Sequence, residues 1–335
     1  MKRSILCVVL LLVGCEGSAS DPDGGTPRAD AGPVDAGPQP IKYTSFTKRT
    51  DGWPSGARVL GATVLDNVLF AASDQGLLSL PAIDTRWGTV ATPLTGDVKP
   101  TSIQQVDQAL VMTAAGATTG GLWIKPFDGE WAQVMAAPAK PTWLLVKKSS
   151  EWLLATTGGL YVATDLQGPW TRRSAVGTAL FTRQVSRLIA APAQQKLFAS
   201  GEPGNATLGG LFESADVGVT WTASPLRGQL EAIAASGAYV LVSTATDGQQ
   251  RSDNYGNTFR PVSSPVSNGV LTYVAQGTRF WAGGNGGLLR SDDNGVTFAD
   301  DSAGLPQGTP VRALFFAGSY ALVDTPDGPY LNQVP

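Results

Sequence analysis

The chain lacks histidine altogether and has only two cysteines in 335 residues. Without histidine it can form neither a Ser-His-Asp triad nor a zinc site built from Cys and His, and no imidazole can act as a general base. We therefore expect no metal site and no cofactor. Glutamate is also scarce after residue 40, where it occurs at five positions: Glu130, Glu151, Glu202, Glu213 and Glu231.

A large excess of either charge is also missing. The chain has 24 basic and 27 acidic residues. Five of the acidic residues lie between residues 16 and 40, so the remainder is close to neutral. No basic stripe indicates nucleic-acid binding, and we expect no nucleic-acid partner.

The N-terminal segment has the features of an export signal. Lys2 and Arg3 are followed by nine apolar residues from Ile5 to Val13, a run too short to cross a bilayer. The run leads into Leu-Val-Gly-Cys at 12–15, which resembles a bacterial lipobox. The resemblance implies that residues 1–14 are a lipoprotein signal peptide and that Cys15 receives a diacylglyceryl group. The alternative is a plain secretory signal that contains a cysteine.

Residues 16–40 are rich in Pro, Gly, Asp and Ala, and Val34 is their only large aliphatic residue. Such a segment cannot bury enough apolar surface to offset the entropy of ordering it. We interpret residues 15–40 as a lipidated cysteine and a disordered tether. A mature chain whose one cysteine is acylated has no disulfide. We expect an exported protein that is anchored by lipid to the bacterial cell envelope, at the outer membrane.

From residue 41 onward no stretch has a helical period over ten residues. Alternating and β-branched runs follow one another instead, for example at 57–65, 67–73, 239–246 and 279–284, and Gly, Asp, Asn and Pro separate them. This pattern predicts an all-β domain over residues 41–335.

The runs recur in register, and the landmark is a glycine just before a strand. It occurs seven times at intervals of 38 to 51 residues, at Gly76, Gly121, Gly159, Gly210, Gly248, Gly287 and Gly328. Seven units of about 42 residues, each with four short strands, predict a seven-bladed β-propeller of four-stranded antiparallel blades.

The last unit is one strand short of a blade. Residues 42–49 have the pattern of the missing outer strand, so we expect the N-terminal strand of the domain to close the ring by pairing with residues 329–334. Such closure removes exposed sheet edges.

Three units carry the pattern Ser-x-Asp-x-Gly-x-Thr-aromatic after the landmark glycine. Its members are Ser214, Asp216, Gly218, Thr220 and Trp221, then Ser252, Asn254, Gly256, Thr258 and Phe259, and finally Ser291, Asp293, Gly295, Thr297 and Phe298. The middle copy has Asn where the pattern has Asp.

These copies resemble the Asp-box, or bacterial neuraminidase repeat, of the sialidase-like propellers. That group includes sialidases, sortilin-type domains, certain glucan hydrolases and photosystem II stability factor-like proteins. The resemblance implies that the motif bridges the third and fourth strands of a blade, with a positive φ at Gly and turn N–H groups bonded to Asp and Ser. We interpret Asp216 and Asp293 as structural, because an amide such as Asn254 makes a poor acid or base.

No catalytic residue can be nominated. Sialidases of this group carry an early Phe/Tyr-Arg-Ile-Pro motif, and the nearest match, at 57–60, lacks the aromatic residue and the proline. A glucan hydrolase needs two carboxylates about 5–10 Å apart across a cleft. Most aspartates of this chain fall in turns, where the residue is common anyway. We therefore favour a protein without enzymatic activity.

Two long connections, at 174–184 and 200–208, indicate where a partner could bind. Arg183, Glu202 and Asn205 are their candidate contact residues, with ordinary loop variation as the alternative. Trp143 begins an inner strand, where its ring could face the central funnel and grip a sugar or a peptide. Packing in the core is the alternative for Trp143.

The function that the sequence favours is non-catalytic binding or scaffolding by a monomer, through propeller loops that engage an envelope protein or a glycan. A polysaccharide-active glycoside hydrolase of the Asp-box type is the first alternative. An assembly factor for an envelope complex is the second.

Overall fold

The computed structural model describes residues 45–136, 141–148, 150–173, 185–191, 196–201, 211–226, 228–262 and 269–333. Regular structure in these ranges consists of 28 strands in seven four-stranded antiparallel sheets, and no helix occurs there. The protein is therefore a seven-bladed all-β propeller, as the repeat pattern predicts. The segments at 1–14 and 15–40, predicted as signal peptide and tether, lie outside these ranges.

The strands of the first four blades follow one another in chain order. Blade 1 contains β2 (Val59–Leu65), β3 (Val68–Ser73), β4 (Gly76–Pro81) and β5 (Gly88–Thr89). Blade 2 contains β6 (Lys99–Val106), β7 (Ala109–Ala115), β8 (Gly120–Pro126) and β9 (Ala132–Ala136). Blade 3 contains β10 (Pro141–Lys148), β11 (Glu151–Thr156), β12 (Gly159–Ala163) and β13 (Thr171–Arg172). Blade 4 contains β14 (Val185–Ala191), β15 (Lys196–Gly201), β16 (Leu211–Ser214) and β17 (Thr222–Ala223).

Blades 5 and 6 have the same order, and blade 7 differs in its outer strand. Blade 5 contains β18 (Leu230–Ser236), β19 (Tyr239–Thr244), β20 (Gly248–Ser252) and β21 (Arg260–Pro261). Blade 6 contains β22 (Val270–Gln276), β23 (Arg279–Gly284), β24 (Gly287–Ser291) and β25 (Ala299–Asp300). Blade 7 contains β26 (Ala313–Ala317), β27 (Tyr320–Thr325), β28 (Gly328–Gln333) and, as its outer strand, β1 (Thr47–Lys48).

The N-terminal strand closes the ring. Thr47 lies opposite Leu331 and Lys48 opposite Tyr330, and the N–H of Arg49 donates to the carbonyl of Pro329 over 2.9 Å. The predicted pairing is confirmed for these residues. Because the first and last parts of the chain share one blade, the ring cannot open without breaking that blade.

The core lies between blades as well as within them. One buried cluster joins Leu69 of blade 1 to Leu322 of blade 7, and another joins Phe198 of blade 4 to Val242 of blade 5. The first strand of each blade is innermost and contacts the first strands of both neighbours. Each blade thus buries its faces against the next, as in other stacked repeats.

The landmark glycine has a physical reason. Gly76, Gly159, Gly287 and Gly328 each begin a third strand with a positive φ, which a tight turn after the second strand requires. In blade 2 the third strand begins one residue earlier than expected, at Gly120 rather than at Gly121. Gly210 lies outside the described residues.

Strand direction gives the ring two distinct faces. Consecutive strands are antiparallel, so the connections between first and second strands and between third and fourth strands emerge on one side. We call this side the turn face. The connections between second and third strands, and those from each blade to the next, emerge on the other side, which we call the loop face. Within the described ranges, no helix has the length and apolar character needed to span a bilayer.

Candidate functional site

The three Asp-box copies lie on the turn face, where each joins the third strand of a blade to the fourth. In blade 4 the hydroxyl of Ser214 donates to Asp216 over 2.8 Å and accepts the N–H of Gly218 over 2.8 Å. Asp216 accepts the N–H of Thr220 over 2.8 Å on Oδ1 and its hydroxyl over 2.5 Å on Oδ2. Both oxygens of this carboxylate therefore have partners within the turn.

The copy in blade 6 repeats these contacts. Asp293 accepts the N–H of Thr297 over 2.9 Å on Oδ1 and the Thr297 hydroxyl over 2.6 Å on Oδ2. Burial alone would raise the pKa of Asp293, but the hydrogen bonds from Thr297, Ser291 and Val296 lower it to about 2. The pKa of Asp216 is lowered in the same way. These carboxylates stay ionised at neutral pH, so neither can supply a proton as a general acid.

The Asn copy in blade 5 keeps the same turn with one hydrogen bond reversed. Asn254 accepts the N–H of Thr258 over 2.9 Å and the hydroxyl of Ser252 over 2.9 Å. Its amide nitrogen then faces the Thr258 hydroxyl over 2.8 Å, so the amide donates where a carboxylate would accept. The turn requires one side-chain oxygen at this position and tolerates either group at the second.

The box glycines also join neighbouring blades. A Cβ on Gly256 would lie 2.8 Å from the Phe198 ring of blade 4, and one on Gly295 would lie 2.8 Å from Leu241 of blade 5. Two polar contacts cross the same junctions. Lys196 donates to Asn257 over 2.6 Å, and Arg251 donates to the carbonyl of Asn294 over 2.8 Å.

The aromatic residues that end the boxes differ in burial. Trp221 is buried in the core of blades 3 and 4, and its indole N–H donates to the carbonyl of Gly218 over 3.0 Å. Phe259 and Phe298 are half-buried and pack against the edges of two other clusters.

The candidate contact residues fall into two groups. Arg183, Glu202 and Asn205 lie outside the described residues, in the stretches of sequence that precede β14 and follow β15. Cys15 lies outside them as well. Trp143 belongs to β10, an innermost strand as predicted, but its side chain is not among those described.

The innermost strands contain a feature that the sequence pattern did not reveal. Their pairing with the second strand shifts near the start of the strand in blades 1, 2, 4, 5 and 6, between Val59 and Gly61 and at the matching positions. One residue is left over at each β-bulge, five positions before the end of the strand. These residues are Leu60, Thr101, Ser186, Glu231 and Leu271. Arg312 is also five positions before the end of the first strand of blade 7, where the pairing of β26 with β27 has no shift.

A buried carboxylate lies at the junction of blades 7 and 1, on the loop-face side. Asp324 has no solvent exposure, and its Oδ1 accepts the N–H of Val59 over 3.1 Å. Its Oδ2 has no hydrogen-bond partner among the described residues. Burial raises the pKa of Asp324 to about 6, although the Val59 N–H and the charges of Arg312 and Arg58 act in the opposite direction.

The loop face also has a cavity of about 400 Å³ between blades 6 and 7. It is lined by the turn at 286–287 and the connection at 300–309, with Asp300, Ser302, Gln307 and Thr309 as its polar side chains. Across the ranges that the structure describes, no three His, Cys, Asp or Glu side chains come together as they would around a metal ion.

The sequence matches no protein-family model and no curated protein. Many solved structures share its fold. YCF48 from Cyanidioschyzon merolae is 16% identical with a TM-score of 0.65, over 87% of this chain and 99% of that one. A structure of YCF48 bound to D1 peptide is 15% identical with a TM-score of 0.61, over 84% of this chain and 95% of that one.

An exported protein is similar as well. The extracellular domain of a protein described as a one component system from B. thetaiotaomicron is 12% identical, with a TM-score of 0.67. The match covers 87% of this chain and 40% of that one, so this chain spans less than half the length of that extracellular domain. At these identities the likeness establishes the seven-bladed propeller fold.

Proposed function

We propose that this protein is a lipid-anchored propeller of the Asp-box group that binds an envelope protein or glycan through its loop face and performs no chemistry. The observation that carries the proposal is the state of the box carboxylates. Both carboxylate oxygens of Asp216 and of Asp293 accept hydrogen bonds within their own turns, and the remaining copy of the motif has Asn254 in place of an aspartate. The repeated acids thus support the ring rather than a reaction, which leaves the opposite face for a partner.

Two of the similar structures support a binding role. One is described as YCF48 bound to D1 peptide, so a propeller of this size can bind a peptide. Another is an extracellular domain, which agrees with export of this chain. By analogy we favour a protein partner.

Export and anchoring have a separate test. If Cys15 carries the lipid, Cys15→Ser releases the protein from the membrane fraction, while Cys7→Ser leaves fractionation unchanged because Cys7 lies in the segment that is removed. Equal membrane association of both variants would overturn the anchor and leave the binding proposal standing.

The binding function is tested by cross-linking the anchored full chain in its own cell envelope and recovering it. Protein and polysaccharide are both measured in the eluate. One dominant protein that is absent from a control with an unrelated lipoprotein supports the proposal. Recovery of polysaccharide without protein would favour the carbohydrate alternative, and release of sugars from that polymer would identify a hydrolase and refute a non-catalytic role.

A further inference from the structure

The bulge residues of the innermost strands form a common structural position around the axis. Each first strand ends at the turn face, so the bulge near its start lies toward the loop face. The residue before this position is buried in all five blades where side chains are described: Val59, Pro100, Leu230, Val270 and Val311. The residue at the position itself is half-buried or exposed in every case. In blades 1, 2, 5 and 6 the bulge therefore turns one side chain out of the core, and in blade 7 Arg312 leaves the core just before β26 begins.

We call these five side chains the mouth ring. In order around the axis they are Glu231 of blade 5, Leu271 of blade 6, Arg312 of blade 7, Leu60 of blade 1 and Thr101 of blade 2. Trp143 and Ser186 occupy the corresponding stretches of β10 and β14 in the sequence. A ring of single side chains at one level around a funnel is a surface suited to one inserted segment rather than to a broad flat partner.

Two members of the mouth ring are already engaged within their own blades. Glu231 accepts the hydroxyl of Ser243 over 3.0 Å, and Thr101 shares a hydrogen bond of 2.8 Å with Thr113. Both partners lie on the second strand at the same level, which shows that the bulge positions are equivalent in space.

The other three members form no such hydrogen bond. Among the described residues, no hydrogen bond or ion pair engages the guanidinium of Arg312, which is half-buried. Its charge does act on the nearby Asp324 carboxyl, because burial raises the pKa of that carboxyl and the charges of Arg312 and Arg58 lower it. Arg58, just before β2 in the adjacent blade 1, is exposed. Its backbone N–H donates to the Asp74 carboxylate over 3.0 Å and its carbonyl accepts the Asp74 N–H, while no hydrogen bond or ion pair with a described residue engages its guanidinium. Leu271 is 37% exposed, and it differs from the other large exposed apolar residues, Ile83, Phe127, Val219 and Val296, which lie on the turn face.

We propose that the mouth ring binds an extended segment of a partner protein that carries an acidic side chain between two apolar ones. Arg312 and Arg58 supply the positive charge for the acid, and Leu271 and Leu60 lie on either side of Arg312 around the ring. Guanidinium donors that no described residue engages in a hydrogen bond can form short, charge-assisted bonds to a carboxylate. This inference rests on the proposed function and adds the chemistry of the partner and the residues that recognise it.

The test places a photo-crosslinking amino acid at Leu271 or Leu60 of the full chain in its own envelope. Val296, 41% exposed on the turn face, is the matched control position. We expect crosslinks from both mouth positions to map to one protein segment that contains an acid flanked by apolar residues, and no crosslink to that segment from position 296. A segment without an acid, or a polysaccharide in its place, would contradict the inference.

Arg312→Gln provides the energetic test. A lost charge-assisted bond weakens binding about tenfold or more, so the crosslink yield from position 271 at limiting partner should fall accordingly. Arg260→Gln, which removes a side chain 66% exposed near the turn face, should leave the yield unchanged. Melting curves of both variants verify that the ring is intact. An unchanged yield with Arg312→Gln refutes the role of the mouth ring.

The outcomes separate this inference from the proposed function. A partner that crosslinks to other loop-face positions, such as Gln307, but not to the mouth ring leaves the proposed function standing and overturns the mouth ring. A chain that crosslinks to nothing from either face overturns both.

Discussion

Asp324 lies where blade 7 meets blade 1, and its replacement by Asn should remove a large pH dependence of stability. The pKa of its carboxyl is raised from 3.8 to about 6, chiefly by burial. A raised folded-state pKa means that the native chain holds the proton more tightly than the unfolded chain. The carboxyl therefore contributes stability that is fully present below pH 4 and is lost as pH rises through 6.

The size of the effect follows from the shift. About two pKa units correspond to about 3 kcal/mol in total, of which roughly 2 kcal/mol falls between pH 4 and pH 7. Asn keeps an oxygen that can accept the Val59 N–H, but it cannot ionise. The amide nitrogen of Asn would take the place of Oδ2, which has no partner among the described residues. A buried donor without a partner lowers the free energy of unfolding by about 1–3 kcal/mol, and this loss does not depend on pH.

Urea unfolding followed by tryptophan fluorescence at pH 4, 5, 6 and 7 measures the effect. Relative to Asp324→Asn, the free energy of unfolding of the wild-type chain should fall by roughly 2 kcal/mol from pH 4 to pH 7. Asp84→Asn, which removes an exposed carboxylate, is the control and should differ from the wild type by less than about 0.5 kcal/mol throughout. A difference between wild type and Asp324→Asn that is constant with pH would refute the reasoning.

Two further predictions concern the ring. Gly256→Ala should lower the free energy of unfolding, measured in urea, by about 1–3 kcal/mol more than Gly248→Ala does. Both glycines have positive φ, but only a Cβ at 256 meets the Phe198 ring. Equal losses would show that the Asp-box glycine does not join blades. A chain that begins at residue 50 lacks β1 and the buried Phe46, so its free energy of unfolding should be lower than that of the full chain by about 3 kcal/mol or more. A chain that begins at residue 41 keeps both and should unfold like the full chain. Identical melting of both truncated chains would contradict the observed closure of the ring.

The repeat architecture was predictable because it depends on local requirements. A turn after each second strand needs a positive φ, so glycine marks Gly76, Gly159, Gly287 and Gly328 in the sequence. The missing outer strand of blade 7 was predictable for a similar reason, since an unpaired edge at Gly328–Gln333 had to find a partner.

The mouth ring and Asp324 were not predictable from the pattern of apolar and polar residues. A β-bulge changes which side chain leaves the core without changing composition, so Leu271 and Glu231 look like ordinary strand residues. Counting five residues back from the last residue of each first strand places these side chains at the same position in every blade. Asp324 similarly takes a place that Ala72 and Ser243 occupy in blades 1 and 5, and only the closed ring shows that its carboxylate is buried.

The central claim is that the Asp-box carboxylates hold the ring while the other face binds a partner. The most direct test is a chain with both Asp216→Asn and Asp293→Asn, which imitates the turn that Asn254 already forms in blade 5. We expect this chain to fold and to recover the same partner, in the same amount, from cross-linked envelope. A double variant that folds normally but no longer recovers the partner would contradict the account. So would a wild-type chain that degrades a recovered polysaccharide when the double variant does not.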